Sequence, residues 1–233
     1  EVMKRGAANR RFGIGDPDFS TLQIEKMLSD ETVDKIVDSI DLDRARSVSE
    51  IEPLLRAQAV EGRDTTHYSV MDRWGNAVST TYTLGYSFGS GYVAAGTGVL
   101  LDNQLRNFTY GYEQHANAPA PGKRMMSTMT PTIVLDSAQQ VNVVTGSPGG
   151  GRIINVVLQL LVNILDYELN VASATHARRI DQPWRKPDLA VEPGVSPDTI
   201  ALLRERGHGV ELQPSMGSTQ SITFSDGLFY GAA

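Results

Sequence analysis

Cysteine is absent from this chain. Its absence excludes disulfides, thiolate metal sites and a Cys nucleophile together. Histidine is scarce, with four residues at positions 67, 115, 176 and 208. No two have helical i, i+4 spacing and none lies in an HExxH run, so no metal site is expected. No stretch reaches the ~18–20 apolar residues that span a bilayer. The longest candidate, Ile153 to Leu169, is broken by Asn155, Gln159, Asn163, Asp166 and Glu168. Positive charge is not in excess: 21 Lys and Arg stand against 27 Asp and Glu, a net charge of −6. That balance argues against nucleic acid as a partner and says little about small molecules. Internal repeats and low-complexity tracts are missing too. No secretory leader is present, but the chain begins at Glu1 and stops after Tyr230-Gly231-Ala232-Ala233. It is read as a fragment or processed piece, so the missing leader carries no information.

What is present suits a globular protein with a sizeable core. Hydrophobic residues make up 40% of the 233 and charged residues 21%, both ordinary values. Residues 1–64 are polar and helical in tendency. Thr21–Met27 and Glu31–Ile40 carry amphipathic helical spacing, the second through Val33, Ile36, Val37 and Ile40, with Asp30 placed to cap it. Gly13 to Pro17 is a turn, and Ser47 to Asp64 an exposed connector suited to chain cleavage.

From Thr65 the pattern becomes strand-like. Thr66–Met71 and Asn76–Thr83 flank the turn Asp72-Arg73-Trp74-Gly75. A glycine-rich stretch, 85 to 98, precedes an apolar strand at Val99-Leu100-Leu101, and 109–124 is a polar loop. Thr132–Leu135 and Gln140–Thr145 form a second hairpin. Gly146 to Gly151 leads into a helix over Ile153–Asp166, and Ala172–Arg178 is another. Ser196 and Pro197 open a third at N-cap and N1, ended by Gly207 and Gly209. Gln220–Phe224 and Leu228–Tyr230 close a hairpin around Asp226-Gly227. Hairpins, then helices, then hairpins predict an α+β fold built on antiparallel sheet.

The chemistry is sought at Asp64-Thr65. A Thr that opens a strand becomes a nucleophile if the bond before it is cut, because its new α-amine can act as base to its own hydroxyl. It then needs oxyanion donors, which a glycine-rich turn opening a helix supplies. Gly149 and Gly150 fit that description. Read alone, Thr65-Thr66 is better described as two ordinary strand threonines. Gly146–Gly151 is equally a plain turn or a phosphate loop, although it lacks the Lys-Ser/Thr of a P-loop. Ser127 and Thr128 could bind an anion or cap a turn. Gln104 and Asn107 face a ligand or lie in a solvated loop. His67 alternates with Thr66 and Tyr68 along the strand, which suits a structural hydrogen bond better than catalysis.

Together these pieces, in this order, resemble the γ-glutamyltranspeptidase family of N-terminal nucleophile hydrolases. The resemblance rests on Thr65-Thr66-His67-Tyr68-Ser69-Val70, Asp72-Arg73-Trp74-Gly75-Asn76 and Ser87-Phe88-Gly89-Ser90-Gly91. It continues through Gly98-Val99-Leu100-Leu101-Asp102-Asn103, Ser127-Thr128-Met129-Thr130-Pro131-Thr132 and Thr145-Gly146-Ser147-Pro148-Gly149-Gly150. Met216-Gly217-Ser218-Thr219-Gln220-Ser221 and, upstream, Gly15-Asp16-Pro17-Asp18-Phe19 complete it.

The resemblance implies an αββα four-layer sandwich, only partial here because upstream large-subunit layers are absent. Residues 1–64 would be the tail of the large subunit and 65–233 the catalytic small subunit, truncated at its C-terminus. The implied activity is that of a self-processing γ-glutamyltransferase and glutathione hydrolase. The precursor cuts itself between Asp64 and Thr65. Thr65 then takes the acyl group from glutathione or another γ-glutamyl compound and passes it to water, an amino acid or a peptide. By the same resemblance, Thr83 hydrogen-bonds the nucleophile and Gly149 and Gly150 form the oxyanion hole. Ser127 and Thr128 hold the substrate α-carboxylate, and Gln104 binds substrate. No cofactor and no metal are implied. The partners are the small-molecule donor and acceptor and the upstream part of the same precursor, and the location is periplasmic or secreted. An Arg that the family's large subunit directs at the carboxylate has no match in residues 1–64.

Two positions depart from the family pattern. Gly85 stands where Asn or Glu is common, and Asn107 where an Asp pairs with the substrate α-ammonium. The second departure replaces an ion pair by a neutral amide, and charge-assisted hydrogen bonds are roughly twice as strong as neutral ones. It also removes a carboxylate that rejects acyl groups lacking the amine. A glutaryl-type, cephalosporin-acylase-like specificity is therefore the alternative reading. A non-catalytic scaffold is a third, against which the retained Thr65, Thr83, Gly149 and Gly150 argue.

Overall fold

The computed structural model describes residues 1–51, 64–183 and 186–233. Helices α1 (Val2–Gly13), α2 (Ile24–Met27), α3 (Asp30–Asp38) and α4 (Val48–Ile51) come first. Strands β1 (Asp64–Met71), β2 (Ala77–Gly85), β3 (Thr132–Leu135) and β4 (Val141–Thr145) follow, with a 3₁₀ turn at Gln104–Asn107. A second 3₁₀ turn, Gly150–Arg152, runs into α5 (Ile153–Leu165), then α6 (Val171–His176). The chain ends with β5 (Ile180–Asp181), β6 (Asp188–Val191), α7 (Pro197–Glu205), β7 (Gly209–Leu212), β8 (Ser221–Ser225) and β9 (Leu228–Ala232). Most of the expected connector, residues 52–63, lies outside the described residues.

Two compact units emerge. The first gathers residues from 1–51, 105–127 and 180–214, the second from 64–104, 128–179 and 215–233. In the second unit, β1 and β2 form an antiparallel ribbon, and a four-stranded sheet runs in the order β3-β4-β8-β9. Helix α5 buries Ile153, Val156, Val157 and Leu160, an i, i+3, i+4, i+7 stripe. With Val143 and Val144 of β4 and Val171 and Ala174 of α6, these make the unit's core, each at most 4% exposed. Full burial of an aliphatic side chain contributes about 1.5–3 kcal/mol, so this stripe fixes the helix that begins beside the glycine turn. Asn170 caps α6 by accepting the Ser173 N–H at 2.9 Å.

The first unit holds the three-stranded sheet β5-β6-β7. Strands β6 and β7 are parallel and α7 is their crossover, so the framework of antiparallel pairs carries one parallel pair as well. The short strands β5 and β6 carry Asp181 and Asp188 and little alternation, which hid them. Three local expectations also change. Val99-Leu100-Leu101 makes only a single bridge, Val93 to Leu100, with Val99 and Leu101 exposed. Leucine and valine here follow glycines that turn the chain rather than extend it. Helix α3 is capped by Ser29, whose hydroxyl accepts the Thr32 N–H, and Asp30 is its first residue. The helix expected over Thr21–Met27 shrinks to α2.

Asp16 ties the first unit together. Its side chain is fully buried and accepts from Arg124 through Nε (3.1 Å), Nη2 (2.6 Å) and the backbone N–H (2.7 Å). These bonds, the side-chain ones foremost, hold the Asp16 carboxyl well below the usual carboxylate range. A lowered folded pKa means the pair stabilises the protein above the unfolded carboxyl pKa of about 3.9, and that this contribution is lost as the pH falls further. Arg124→Ala is therefore expected to weaken stability most at neutral pH, with the gap to the wild type narrowing below about pH 4. Denaturant unfolding of both proteins at neutral and acid pH measures that gap.

Candidate active site

Thr65 sits at the second position of β1, opposite Thr83 of β2, beside a register shift between residues 64 and 65. Its hydroxyl donates to Oγ1 of Thr83 at 3.2 Å. Thr83 Oγ1 also accepts the Gly85 N–H at 2.9 Å. Two Thr hydroxyls thus meet across an antiparallel pair, with a backbone donor fixing the second. Asp64 pairs with Gly85 through the backbone, and its side chain lies outside the described ones.

Gly85 is buried and adopts φ +88°, a left-handed conformation that favours glycine. A Cβ there would overlap Oδ1 of Asn103. Asn103 is anchored in turn by its N–H to the Leu84 carbonyl at 3.0 Å. The Asn103 amide oxygen therefore fills the space that a side chain at position 85 would take. It is buried and has no hydrogen-bond partner among the described residues. In the sequence Asn103 only ends the Gly98–Asn103 motif and carries no separate signal. Gln104 follows it at the start of the 3₁₀ turn, its N–H donating to Asp102 Oδ1 at 2.7 Å.

The glycine turn is close-coupled to this ribbon. Ser79 of β2 donates to the Thr145 carbonyl at 2.8 Å, and Ser69 of β1 donates to the Gln220 carbonyl at 2.8 Å. Gln220 N–H bonds the Gly146 carbonyl at 3.1 Å. Gly149 and Gly150 have φ of 138° and 60° and open the 3₁₀ turn that continues into α5. The first N–H groups of a helix have no acceptor within it and carry its positive end, and this turn makes such a start for α5. Thr128 donates its hydroxyl to the Gly150 carbonyl at 2.9 Å. In this arrangement its hydrogen braces the turn.

His67 is 5% exposed, and burial pushes its pKa down. Its Nδ1 lies 2.8 Å from Thr81 Oγ1 and its Nε2 3.2 Å from Ser69 Oγ. Because the Ser69 hydrogen is given to Gln220, Ser69 can only accept from Nε2–H, so Nδ1 accepts from Thr81. His67 is thus a neutral Nε2–H imidazole, locked on both sides, as a structural histidine requires. His67→Ala is expected to cost about 2–4 kcal/mol in unfolding free energy. The folded variant should keep turnover within about threefold of wild type, measured on the same sample.

Asn107 and Ser127 fall in the first unit. The Asn107 carbonyl accepts from Asn117 Nδ2 at 2.7 Å, and its own Nδ2 lies 4.0 Å from Met125 Sδ. The Ser127 carbonyl accepts from Arg10 at 2.8 Å. Asn117, which the sequence pattern did not single out, joins the two segments. The predicted residues therefore gather as Thr65, Thr83 and Gly85 with Asn103 beside Gln104, as Thr128 with Gly149 and Gly150, and as Asn107 with Ser127. Among the described residues no group of three or more metal-ligating side chains occurs. No helix among them is long and apolar enough to cross a membrane.

Comparison with known proteins gives a consistent picture. The sequence model of the gamma-glutamyltranspeptidase family matches residues 1–233. The glutathione hydrolase proenzyme of Escherichia coli K12 is 46% identical over all of this chain and 42% of its own length. The chain thus spans about two-fifths of the curated relatives it matches. A gamma-glutamyltranspeptidase mutant structure from Helicobacter pylori superposes with a TM-score of 0.67 at 40% identity, covering 72% of this chain and 97% of that one. The cephalosporin acylase of Bacillus halodurans gives 0.85 at 26% identity, over 99% of this chain and 41% of that one.

Proposed function

We propose, from the premise that this chain belongs to the γ-glutamyltranspeptidase family and has its α+β, N-terminal nucleophile hydrolase fold, that the protein is a self-processing γ-glutamyl acyltransferase and hydrolase. The observation that carries the proposal is the Thr65–Thr83 hydroxyl contact at 3.2 Å, one residue past a register shift in β1. The residues 1–64 and 65–233 are then the tail of a large subunit and the body of a small one.

In the uncut chain the Thr65 nitrogen is a peptide nitrogen and cannot serve as base. Attack of its Oγ on the Asp64 carbonyl moves the acyl group from nitrogen to oxygen. Water then hydrolyses the ester and leaves a free α-amine on Thr65. In turnover that amine takes the Thr65 hydroxyl proton as Oγ attacks the γ-carbonyl, and returns it to the leaving amine. Gly149 and Gly150 N–H groups receive the tetrahedral oxyanion. Thr83 orients the nucleophile, Ser127 and Thr128 hold the donor's α-carboxylate, and Gln104 binds the donor. A second nucleophile, either water or the amine of an amino acid or peptide, releases the ester. Glutathione is the donor this family assignment favours, and a periplasmic or secreted location follows from it.

A second reading, an acylase that prefers glutaryl amides, is favoured by Asn107 and by Gly85. The similarity to the acylase ACY 1 proenzyme of Pseudomonas sp. SE83, 30% over the whole chain, is in keeping with it. The first reading is tested by mass analysis of the full-length protein after purification. Two fragments, the smaller beginning at Thr65, are expected. A chain that stays whole for days, with no acyl transfer, would sink both enzyme readings and favour the scaffold.

A further inference from the structure

We propose that Asn117 is a positioning residue whose amide fixes the spacing between Asn107 and Ser127, and so sets how an α-amino-acid head group is read. The inference rests on the proposed roles of Asn107 and Ser127 at the donor's α-carbon. Asn107 and Ser127 lie twenty positions apart on a loop with little regular structure, and something must hold them in register.

Asn117 is fully buried, with 0% exposure. Its Nδ2 donates to the Asn107 carbonyl at 2.7 Å and to Thr109 Oγ1 at 3.4 Å. Its Oδ1 accepts the Met126 N–H at 2.8 Å, one residue before Ser127. Its backbone is fixed as well: the N–H goes to His115 Nδ1 at 3.0 Å, and the carbonyl receives the Thr109 N–H at 2.8 Å. One planar amide thus grips both segments with its two ends. Only a group that is donor at one end and acceptor at the other can do this in that space. Leucine would break the bonds to the Asn107 carbonyl and the Met126 N–H, both part-buried, and an ionised carboxylate would face the Asn107 carbonyl oxygen.

The segment is braced elsewhere too, by Asp16 on Arg124 and by Arg10 on the Ser127 carbonyl. Those anchors fix 124–127 to residues 1–51. Asn117 alone among the three reaches Asn107. An ammonium and a carboxylate on one carbon demand two receptors at a set separation, and holding them before binding removes an ordering cost. Asn117 therefore acts on donor binding rather than on bond making at Thr65.

The test compares the full-length wild type with Asn117→Ala and Asn117→Asp, using γ-glutamyl and glutaryl p-nitroanilides and following self-cleavage on denaturing gels. For Asn117→Ala, KM for the γ-glutamyl anilide is expected to rise about tenfold, with kcat and self-cleavage little changed. The glutaryl anilide, which lacks the amine, should lose less. Asn117→Asp supplies the signature of positioning. Full burial at position 117 pushes the introduced carboxyl's pKa up, and the Arg11 and Lys123 charges that act on neighbouring His115 pull it down, so its neutral form is the one that mild acid favours. The O–H then serves the Asn107 carbonyl while the other oxygen accepts from Met126. Its KM should approach wild type in mild acid and climb toward the Ala value as the carboxyl ionises, while the wild type stays flatter. An unchanged KM in both variants, with the wild type active, overturns this inference alone. So does an equal loss for both anilides together with failed self-cleavage, which would mark a purely structural role. A wild type that cuts itself yet turns over neither anilide overturns the acyl-donor reading, and this inference with it.

Discussion

Thr65→Ala leaves the full-length protein as a single uncut chain and lowers acyl transfer by about 10⁴-fold or more. The same Oγ is required twice, first on the Asp64 carbonyl and then on the donor, so one substitution removes both events. The geometry makes the loss specific to the hydroxyl. Thr65 is partly exposed at a bulged strand end, and Ala is tolerated there without a cavity. Thr83 keeps its bond from the Gly85 N–H, so the ribbon survives. A gel of the variant beside wild type reads cleavage, and an anilide assay reads transfer. Thr65→Ser separates the requirements further, since it keeps the oxygen and should cut itself and turn over. An alanine variant that is still cleaved at residue 65 would place the nucleophile elsewhere.

Asn107→Asp shifts selectivity toward γ-glutamyl donors, raising the γ-glutamyl to glutaryl ratio of kcat/KM by about 10- to 100-fold. A carboxylate at 107 gains a charge-assisted bond to the α-ammonium. With a glutaryl group it is left desolvated and unpaired, and that penalty widens the ratio. The swap is nearly isosteric. The 107 backbone is held by Asn117 whatever side chain it carries, and the Nδ2 contact to Met125 Sδ, 4.0 Å long, is a weak one. A ratio of two kcat/KM values taken on one sample cancels any change in the amount of folded enzyme, so it reports recognition. A ratio unmoved by the substitution means that residue 107 does not meet the α-carbon substituents, and the glutaryl reading loses its main support. Gly85→Asn tests the other departure less cleanly, because φ +88° and the Asn103 amide oxygen both oppose a side chain there.

Much of the fold was legible wherever local chemistry decides it. The β1–β2, β3–β4 and β8–β9 hairpins follow from alternation and turn residues, and α5 from an apolar stripe after glycines. The parallel pair β6–β7 was not legible, because its partners are separated by α7 and carry almost no alternation. The Val99–Leu101 run misled because apolar content alone does not make a strand. Its neighbours at Gly96 and Gly98 take positive φ and turn the backbone.

Sequence alone determined which chemistry-bearing groups this protein has: a Thr that can open a strand, a glycine turn before a helix, no thiol, and an amide rather than a carboxylate at Asn107. Those properties belong to residue identity and short spacing. Tertiary structure decided what each group is bonded to. It made His67 a neutral clamp, spent the Thr128 hydrogen on Gly150, put the Asn103 oxygen where a side chain at 85 would stand, and set Asn117 between Asn107 and Met126. The reason is physical. Hydrogen-bond partners such as Asp16 and Arg124, 108 positions apart, are chosen only when burial removes water as the competing partner, and burial is a property of the folded chain.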